Sequence, residues 1–202
     1  MINDKIKRYG LFGFLNRLFS YLLSLIGIVY IKSNLYEKLL NDEVFLEESY
    51  SIMQLTYHDF EAQSALNPQW FNAEKLESIK KALLLDGNSA YGLFQDKLLI
   101  AYGFLSTSYM GLLGNHLLDD DCYLWDAYTH PCARGRRLHK LLTIYRERKA
   151  YKMGKKRALV IVDSFNKASK NTYVKHGFYI IQNFYTLSLF GSRNITNFKY
   201  GK

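Results

Sequence analysis

Apolar and polar positions along this chain repeat with two different periods, and the changes of period mark out its elements. Leu11 to Ile31 is strongly apolar, and on a helical projection Gly13, Asn16, Arg17, Ser20, Ser24 and Gly27 form a narrow stripe of small and polar residues. Leu11, Phe14, Leu15, Leu18, Tyr21, Leu22 and Leu25 cover the rest, which predicts an amphipathic helix. Ile28 to Tyr36 has the β-branched and aromatic content of a strand, and Leu39 to Glu48 reads as a charged connector. From Tyr50 the pattern is that of an α/β domain. Ser49 to Thr56 reads as a strand, followed by helices at Tyr57 to Leu66 and Ala73 to Leu85 that Asn67-Pro68 separates. Ala90 to Gln95 and Leu98 to Ser106 predict a hairpin joined at Asp96-Lys97, and Tyr109 to Asp121 a loop rich in Gly and Asp. Cys122 to Thr129 reads as a central strand feeding a helix over Arg134 to Met153, and Arg157 to Val162 as a buried strand. An Asn166-led helix with Ala168, Thr172 and Val174 on its inner face follows, then strands at Phe178 to Gln182 and Tyr185 to Phe190. The tail from Gly191 reads as polar and mobile. This divides the chain into an extension at 1–45, a main domain at 46–191 and a tail at 192–202.

Composition narrows the class. A chain of 202 residues, 49% of them hydrophobic, has enough for one core and little for two. Its 27 Lys and Arg against 18 Asp and Glu give a net charge of +9, which favours anionic partners without choosing among them. Much of that charge runs from Arg134 through Arg146, Arg148, Lys149, Lys152, Lys155, Lys156 and Arg157, and reads as one solvated helix face. No zinc spacing or recognition-helix pattern accompanies it, so nucleic acid is not the expected partner. Cys122 and Cys132 make no disulfide framework and argue for a reducing cytoplasm, while the five histidines are too scattered for a metal site. No cue pairs Cys132 with a histidine, so covalent catalysis is not expected. Asn16 and Arg17 interrupt the N-terminal apolar run, which falls short of the ~20 residues needed to span a bilayer. An amphipathic helix lying on the domain, on a partner or on a membrane surface is the expectation for residues 1–31, and a homodimer stays open.

The densest chemistry lies in Trp125-Asp-Ala-Tyr-Thr-His-Pro-Cys-Ala-Arg-Gly-Arg-Arg-Leu-His139, where a strand breaks at Pro131 into a basic turn that opens a helix. Backbone N–H groups at a helix start, the positive end of its dipole and arginine side chains all favour a phosphate there. Gly135 would let a ligand approach the backbone. Downstream, a strand, then Asn166, Ser169 and Tyr173 on a helix, then Gly177-Phe178 leading into another strand, form a second ordered signature. Together these segments resemble the GCN5-related N-acetyltransferases, the GNAT family, over roughly Glu48 to Phe190. The family's pyrophosphate loop reads Arg or Gln, two variable residues, Gly, one variable residue, then Gly or Ala. Arg134 matches its first position and Gly135 is the residue common at the second, whereas Arg137 stands at the expected Gly and His139 at the final Gly or Ala.

The resemblance implies a mixed α/β (α+β) fold with a mostly antiparallel central sheet flanked by helices, plus an N-terminal helical extension. It also implies an acetyl-CoA-dependent N-acetyltransferase without a metal, in which an amine attacks the thioester directly. By the same resemblance the backbone of Ala127, Tyr128 and Thr129 holds the pantetheine and acetyl groups. The segment Arg134, Gly135, Arg136, Arg137, Leu138 and His139 holds the pyrophosphate, and Asn166 with Ser169 contacts the coenzyme arm. Tyr173 is the expected acid for the leaving thiolate, a sensible one because a phenol has an ordinary pKa of ~10. Asp126 is the candidate base, and strand alternation sets it with Tyr128 and His130 on one face and Trp125, Ala127 and Thr129 on the other. The acceptor is not named by the sequence; a small amine, an amino sugar or an envelope precursor at the inner membrane surface all fit. A family-fold protein without activity that binds an anionic partner or a membrane is the alternative. The departures at Arg137 and His139 turn on geometry: a left-handed residue at 137 would be strained as arginine, a helical one would not.

Overall fold

The computed structural model describes residues 2–25, 28–41, 51–111, 115–189 and 192–196. In chain order the elements are α1 (Ile2–Ser24), β1 (Ile28–Leu39), β2 (Met53–Leu55), α2 (Tyr57–Leu66), α3 (Ala73–Leu83), β3 (Asn88–Gln95) and β4 (Leu98–Ser106). There follow β5 (Tyr109–Met110), β6 (Asn115–His116), β7 (Asp121–Thr129), a 3-10 turn at Pro131–Ala133, and α4 (Leu138–Lys152). The last are β8 (Arg157–Asp163), α5 (Lys167–Lys175), β9 (Tyr179–Leu189) and β10 (Ser192–Thr196). They gather into two compact units, Met1–Lys38 with Leu159–Lys202, and Leu39–Ala158. Most of the charged connector expected at Leu39 to Glu48, and the start of the strand expected at Ser49, lie outside the described residues.

In the unit Leu39–Ala158 the strand order is β2-β3-β4-β7, antiparallel throughout. Helices α2 and α3 form where the sequence supplies their starts. Thr56 and Asp59 make a capping box on α2, and the Asn72 side chain accepts from the Lys75 N–H at 2.9 Å on α3. They cover one face of the sheet, where Leu55, Phe60, Phe71, Ile79, Ala90, Tyr102 and Phe104 are buried together. Each fully buried Leu, Ile or Phe among them contributes ~1.5–3 kcal/mol of transfer free energy. Helix α4 covers the opposite face: Tyr145 packs on Tyr91, while Arg146 lies beside Gly103, the β3 and β4 positions that point away from Phe60. The β3–β4 turn is fixed from within by buried Gln63, whose Nε2 donates to the Lys97 carbonyl (3.0 Å) and whose Oε1 accepts from the Leu99 N–H (2.9 Å).

In the other unit the order is β10-β9-β1-β8. The N-terminal strand therefore lies inside this sheet, paired antiparallel with β9 from Ile28↔Leu189 to Glu37↔Tyr179 and burying Leu35 and Tyr36. Strand β9 runs unbroken through Asn183, where the sequence suggests two strands. Asn183 faces Asn34 in the register and its Oδ1 accepts a hydrogen bond from the Asn34 Nδ2, a polar contact made across the ladder. The tail expected to be mobile contributes β10, paired with β9 from Ser192↔Leu189 to Thr196↔Tyr185. Helix α5 also differs in its inner face: Tyr173 is buried, whereas Ala168 and Val174 are exposed.

Helix α1 breaks at Gly10 (φ 72°) and from there packs on the entry to α5. The side it turns inward is the small and polar stripe. Tyr9 and Gly13 are buried, Asn16 and Ser20 are half-buried, and a Cβ on Gly13 would stand 3.0 Å from Cβ of Phe165. Among the described residues no helix is long and apolar enough to cross a membrane.

Candidate functional site

The site is built on β7, the turn after it and the start of α4. Pairing of β4 with β7 slips between Tyr102 and Phe104, so that Phe104 faces Trp125, Tyr102 faces Tyr128, and β7 sets two residues, Asp126 and Ala127, against Gly103. Asp126 takes up the extra length in a left-handed conformation, φ 46°. This bulge overturns the strict alternation expected from sequence. Trp125 stacks on Phe104 (4.4 Å between ring centroids) and Tyr128 on Tyr102 (5.4 Å), so residues three apart share one face. Asp126 Oδ2 accepts from Lys75 Nζ of α3 at 2.6 Å, and Trp70, 38% exposed, leans on Tyr128 at 5.1 Å. Ala127 and Thr129 are half-buried, and Thr129 Oγ1 has no hydrogen-bond partner among the described residues.

The bulge is held from α4. Arg146, read from sequence as part of a solvated basic face, is completely buried. Its Nη1 donates to the carbonyls of Phe104 (2.8 Å) and Trp125 (3.4 Å), and its Nε to that of Leu142 (3.1 Å). The guanidinium needs the space opposite the bulge. A Cβ on Gly103 would stand 2.7 Å from its central carbon, so glycine there makes room for arginine.

After β7 the chain turns at Pro131–Ala133 and reaches Gly135 in a left-handed conformation (φ 84°), with nothing within 4 Å of where a Cβ would be. The backbone there is open to a ligand. Arg137, the residue before α4, is left-handed too, at φ 59° and ψ 17°. Of the two geometries open at this position, the chain therefore adopts the strained one, which costs an arginine ~1–2 kcal/mol. The first turn of the helix closes from the Leu141 N–H onto the Arg137 carbonyl at 3.1 Å, and earlier N–H groups lie at the positive end of the dipole. Thus α4 starts at Leu138, four residues later than expected, because Arg134 to Arg137 form the turn itself. Leu138 anchors it, buried, while the side chains of Arg134, Arg136 and Arg137 are exposed. Arg136 Nη1 donates to Gln95 Oε1 at 2.8 Å and lines an open pocket of about 470 Å³ with Leu66, Asp96, Lys97, Leu98 and Cys132. His139 is half-buried, and its carbonyl accepts from Thr143 Oγ1 at 2.8 Å.

The downstream candidates lie in the other unit. Asn166 is buried and caps α5, its Oδ1 accepting from the Ser169 N–H at 3.2 Å. Tyr173 is 3% exposed and packs edge-on against Phe178 at 5.2 Å, where the Phe178 N–H closes onto the Tyr173 carbonyl (3.0 Å). Gly177 ends the helix at φ 88°, as its place in the sequence predicts.

No family model and no curated protein matches this chain. Solved structures do. A GNAT-family acetyltransferase from Novosphingobium aromaticivorans aligns over 81% of this chain and 66% of its own, at 16% identity and a TM-score of 0.57. The aminoglycoside acetyltransferase AAC(6')-Iy, solved with a bisubstrate analogue containing CoA, aligns over 65% of this chain and 92% of its own, at 17% identity and a TM-score of 0.52. A GCN5-related N-acetyltransferase from Kribbella flavida aligns over 85% and 63%, at 14% identity and a TM-score of 0.50. The chain has the GNAT fold. It spans about two thirds of the length of the Novosphingobium and Kribbella proteins.

On this GNAT fold the ionisable groups divide by burial. Cys122 is buried and its thiol is pushed up to about 12, by burial first and then by the negative charges of Glu147 and Asp121, which makes it inert as a nucleophile. Burial, then the Asp126 charge, raises the Tyr102 phenol far above its ordinary range, and burial raises Tyr128 to about 12. Burial lowers His130, and the Arg134 charge lowers it further. His130 Nδ1 accepts from the Cys132 N–H (3.3 Å) and lies 2.8 Å from Cys132 Sγ, so the proline turn brings together a cysteine and a histidine that sequence reading left unpaired. Sequence reasoning also missed Lys75, Trp70, Gly103 and Arg146. Only Gly103, a glycine inside an apolar strand, carried a signal of close approach. Among the described residues no cluster of His, Cys, Asp and Glu is placed to hold a metal.

Proposed function

We propose that this chain is an acetyl-CoA-dependent N-acyltransferase that moves an acetyl group to an amine by direct attack on the thioester. The turn at Gly135 carries the reading: an open, left-handed backbone stands directly before a 15-residue helix, flanked by exposed Arg134, Arg136 and Arg137. Oriented N–H groups and guanidinium forks are the donors a pyrophosphate needs, and no side chain blocks the approach at Gly135. The residues fit the group. Arg134 to His139 would bind the pyrophosphate, the backbone of Ala127, Tyr128 and Thr129 the pantetheine and acetyl groups, and Asn166 with Ser169 the coenzyme arm.

In the chemical step the amine nitrogen forms a bond to the thioester carbonyl carbon, the carbon–sulfur bond breaks, and sulfur leaves as a thiolate. Tyr173 would give that thiolate its proton. Asp126 would take the proton released by the amine, with its carboxylate held by Lys75. On the acceptor side, Trp70 over Tyr128 presents a partly exposed aromatic surface beside the Lys75–Asp126 pair, a combination that suits an amino-sugar ring stacked with its amine toward a carboxylate. We place the reaction in the cytoplasm, where acetyl-CoA is available.

Calorimetric titration with acetyl-CoA tests the core of this reading: saturable binding is expected, and no heat at high-micromolar coenzyme would leave a GNAT-fold protein without the activity. Tyr173→Phe is expected to lower kcat by about 100-fold with the coenzyme Kd nearly unchanged. A large loss of coenzyme affinity in that variant would instead make the hydroxyl a binding group.

A further inference from the structure

Helix α1 is mounted inside out. Its inward stripe consists of Tyr9, Gly13, Asn16 and Ser20, and Ser20 Oγ donates to the Tyr30 carbonyl at 3.4 Å. The opposite side carries Leu15, Leu18, Phe19, Tyr21, Leu22 and Leu25, each between 45% and 65% exposed. Scattered surface leucines are ordinary, but a contiguous apolar band along a helix marks a contact surface. We propose that this band is a docking surface for an anionic lipid bilayer, on which α1 lies parallel to the membrane plane.

The charge pattern selects this occupant. The α1 sequence contains Lys5, Lys7, Arg8 and Arg17 against a single acidic residue, Asp4, and the whole chain carries +9. A second copy would bring like charge against like charge, whereas an anionic headgroup layer attracts both the segment and the chain. The dimensions agree with lying on rather than crossing. From Leu15 to Leu25 the exposed band rises about 15 Å, half the thickness of a bilayer's hydrocarbon core. Aromatic Phe19 and Tyr21 within the band suit the boundary between headgroups and acyl chains. The inward polar stripe completes the arrangement. Helix α1 satisfies its polar side against its own protein and leaves its apolar side for a medium other than water. This inference does not depend on acetyl transfer.

The full chain should be tested by vesicle flotation, with phosphatidylcholine alone and with phosphatidylcholine mixed with phosphatidylglycerol. The wild-type chain should float with the anionic vesicles at least about tenfold more tightly than with the neutral ones, and less tightly as salt rises. Leu18→Gln with Leu22→Gln changes no charge and should weaken flotation by about tenfold or more, while circular dichroism and acetyl-CoA binding stay as in wild type. Three results would overturn the proposal. The first is absence of wild-type flotation on anionic vesicles, and the second is flotation of the double variant equal to wild type. The third is a dimer in lipid-free sedimentation equilibrium that the double variant converts to monomer, which would make a second copy the occupant.

Discussion

Helices α1 and α4 are both long, basic and rich in leucine, yet they use their faces in opposite senses. In α4, Leu138, Leu142 and Ile144 turn inward, and the polar groups that go in with them are bonded there: Arg146 donates to three backbone carbonyls and Thr143 Oγ1 to the His139 carbonyl. Its exposed positions include Lys140, Arg148 and Lys152. In α1 Gly13 goes in with half-buried Ser20, and Leu15, Leu18, Leu22 and Leu25 stay out. The two helices show that the hydrophobic stripe of a helix locates a boundary without saying which side of it is protein. A small, polar stripe allows close backbone approach, as Gly13 makes on Phe165. A left-handed residue also marks each helix, a glycine at position 10 within α1 and an arginine at position 137 directly before α4. The first is free of side-chain strain and the second is not.

The comparison breaks most visibly at Arg146. If its burial is structural, Arg146→Met keeps the aliphatic stem but strips the donors from the Phe104 and Trp125 carbonyls beside the bulge. A loss of about 3 kcal/mol in urea unfolding is expected, since each buried group left unsatisfied costs ~1–3 kcal/mol. An unchanged midpoint would mean that β7 keeps its bulge without the arginine. In that case α4 would be an ordinary amphipathic helix carrying an incidental buried charge.

Much of this architecture was legible before the structure, and the failures share a cause. Tyr57–Leu66 and Leu98–Ser106 match the expected spans because each has strong local punctuation, Thr56 with Asp59 at one and Asp96 at the other. Arg146 was misread because charge is normally a surface signal, and nothing local shows that a bulge 20 residues earlier needs donors. Asp126 was assigned a face by alternation, which a one-residue bulge defeats. Asn183 looked like a break because the residue that donates to it, Asn34, lies 149 residues away. The open turn at Gly135, the Asn166 cap of α5 and the helix end at Gly177 were readable from residue type and spacing. The strained dihedral of Arg137 was not, because a residue's identity does not fix its φ.

That dihedral supplies a second, smaller test. Arg137→Gly removes the Cβ from a left-handed position at the start of α4 and puts there a residue that a helix N-cap accepts well. A gain of about 1 kcal/mol is expected. If acetyl-CoA affinity then falls only a few-fold, the backbone of the turn is the main phosphate donor and the arginine side chain a helper. A large fall with the same gain in stability would mean that α4 trades strain at its start for a guanidinium on the phosphate, a different bargain from the one at Gly10.

The smallest effect is the most telling about α1. A leucine in α4 such as Leu142, buried to 1%, should cost ~2–5 kcal/mol when cut to alanine, because transfer free energy and a cavity are both lost. Leu22 has the same chemistry but is 53% exposed, on the side of α1 away from Gly13. Leu22→Gln in lipid-free buffer is therefore expected to shift stability by no more than about 0.5 kcal/mol, the ordinary range for a surface position. A loss of several kcal/mol would show that the outer face is covered by this chain's own residues in solution, and α1 would then be a core helix like α4. A shift near zero leaves a leucine that contributes nothing to folding in water, and a run of such leucines along one helix face is explained by what they touch outside the protein.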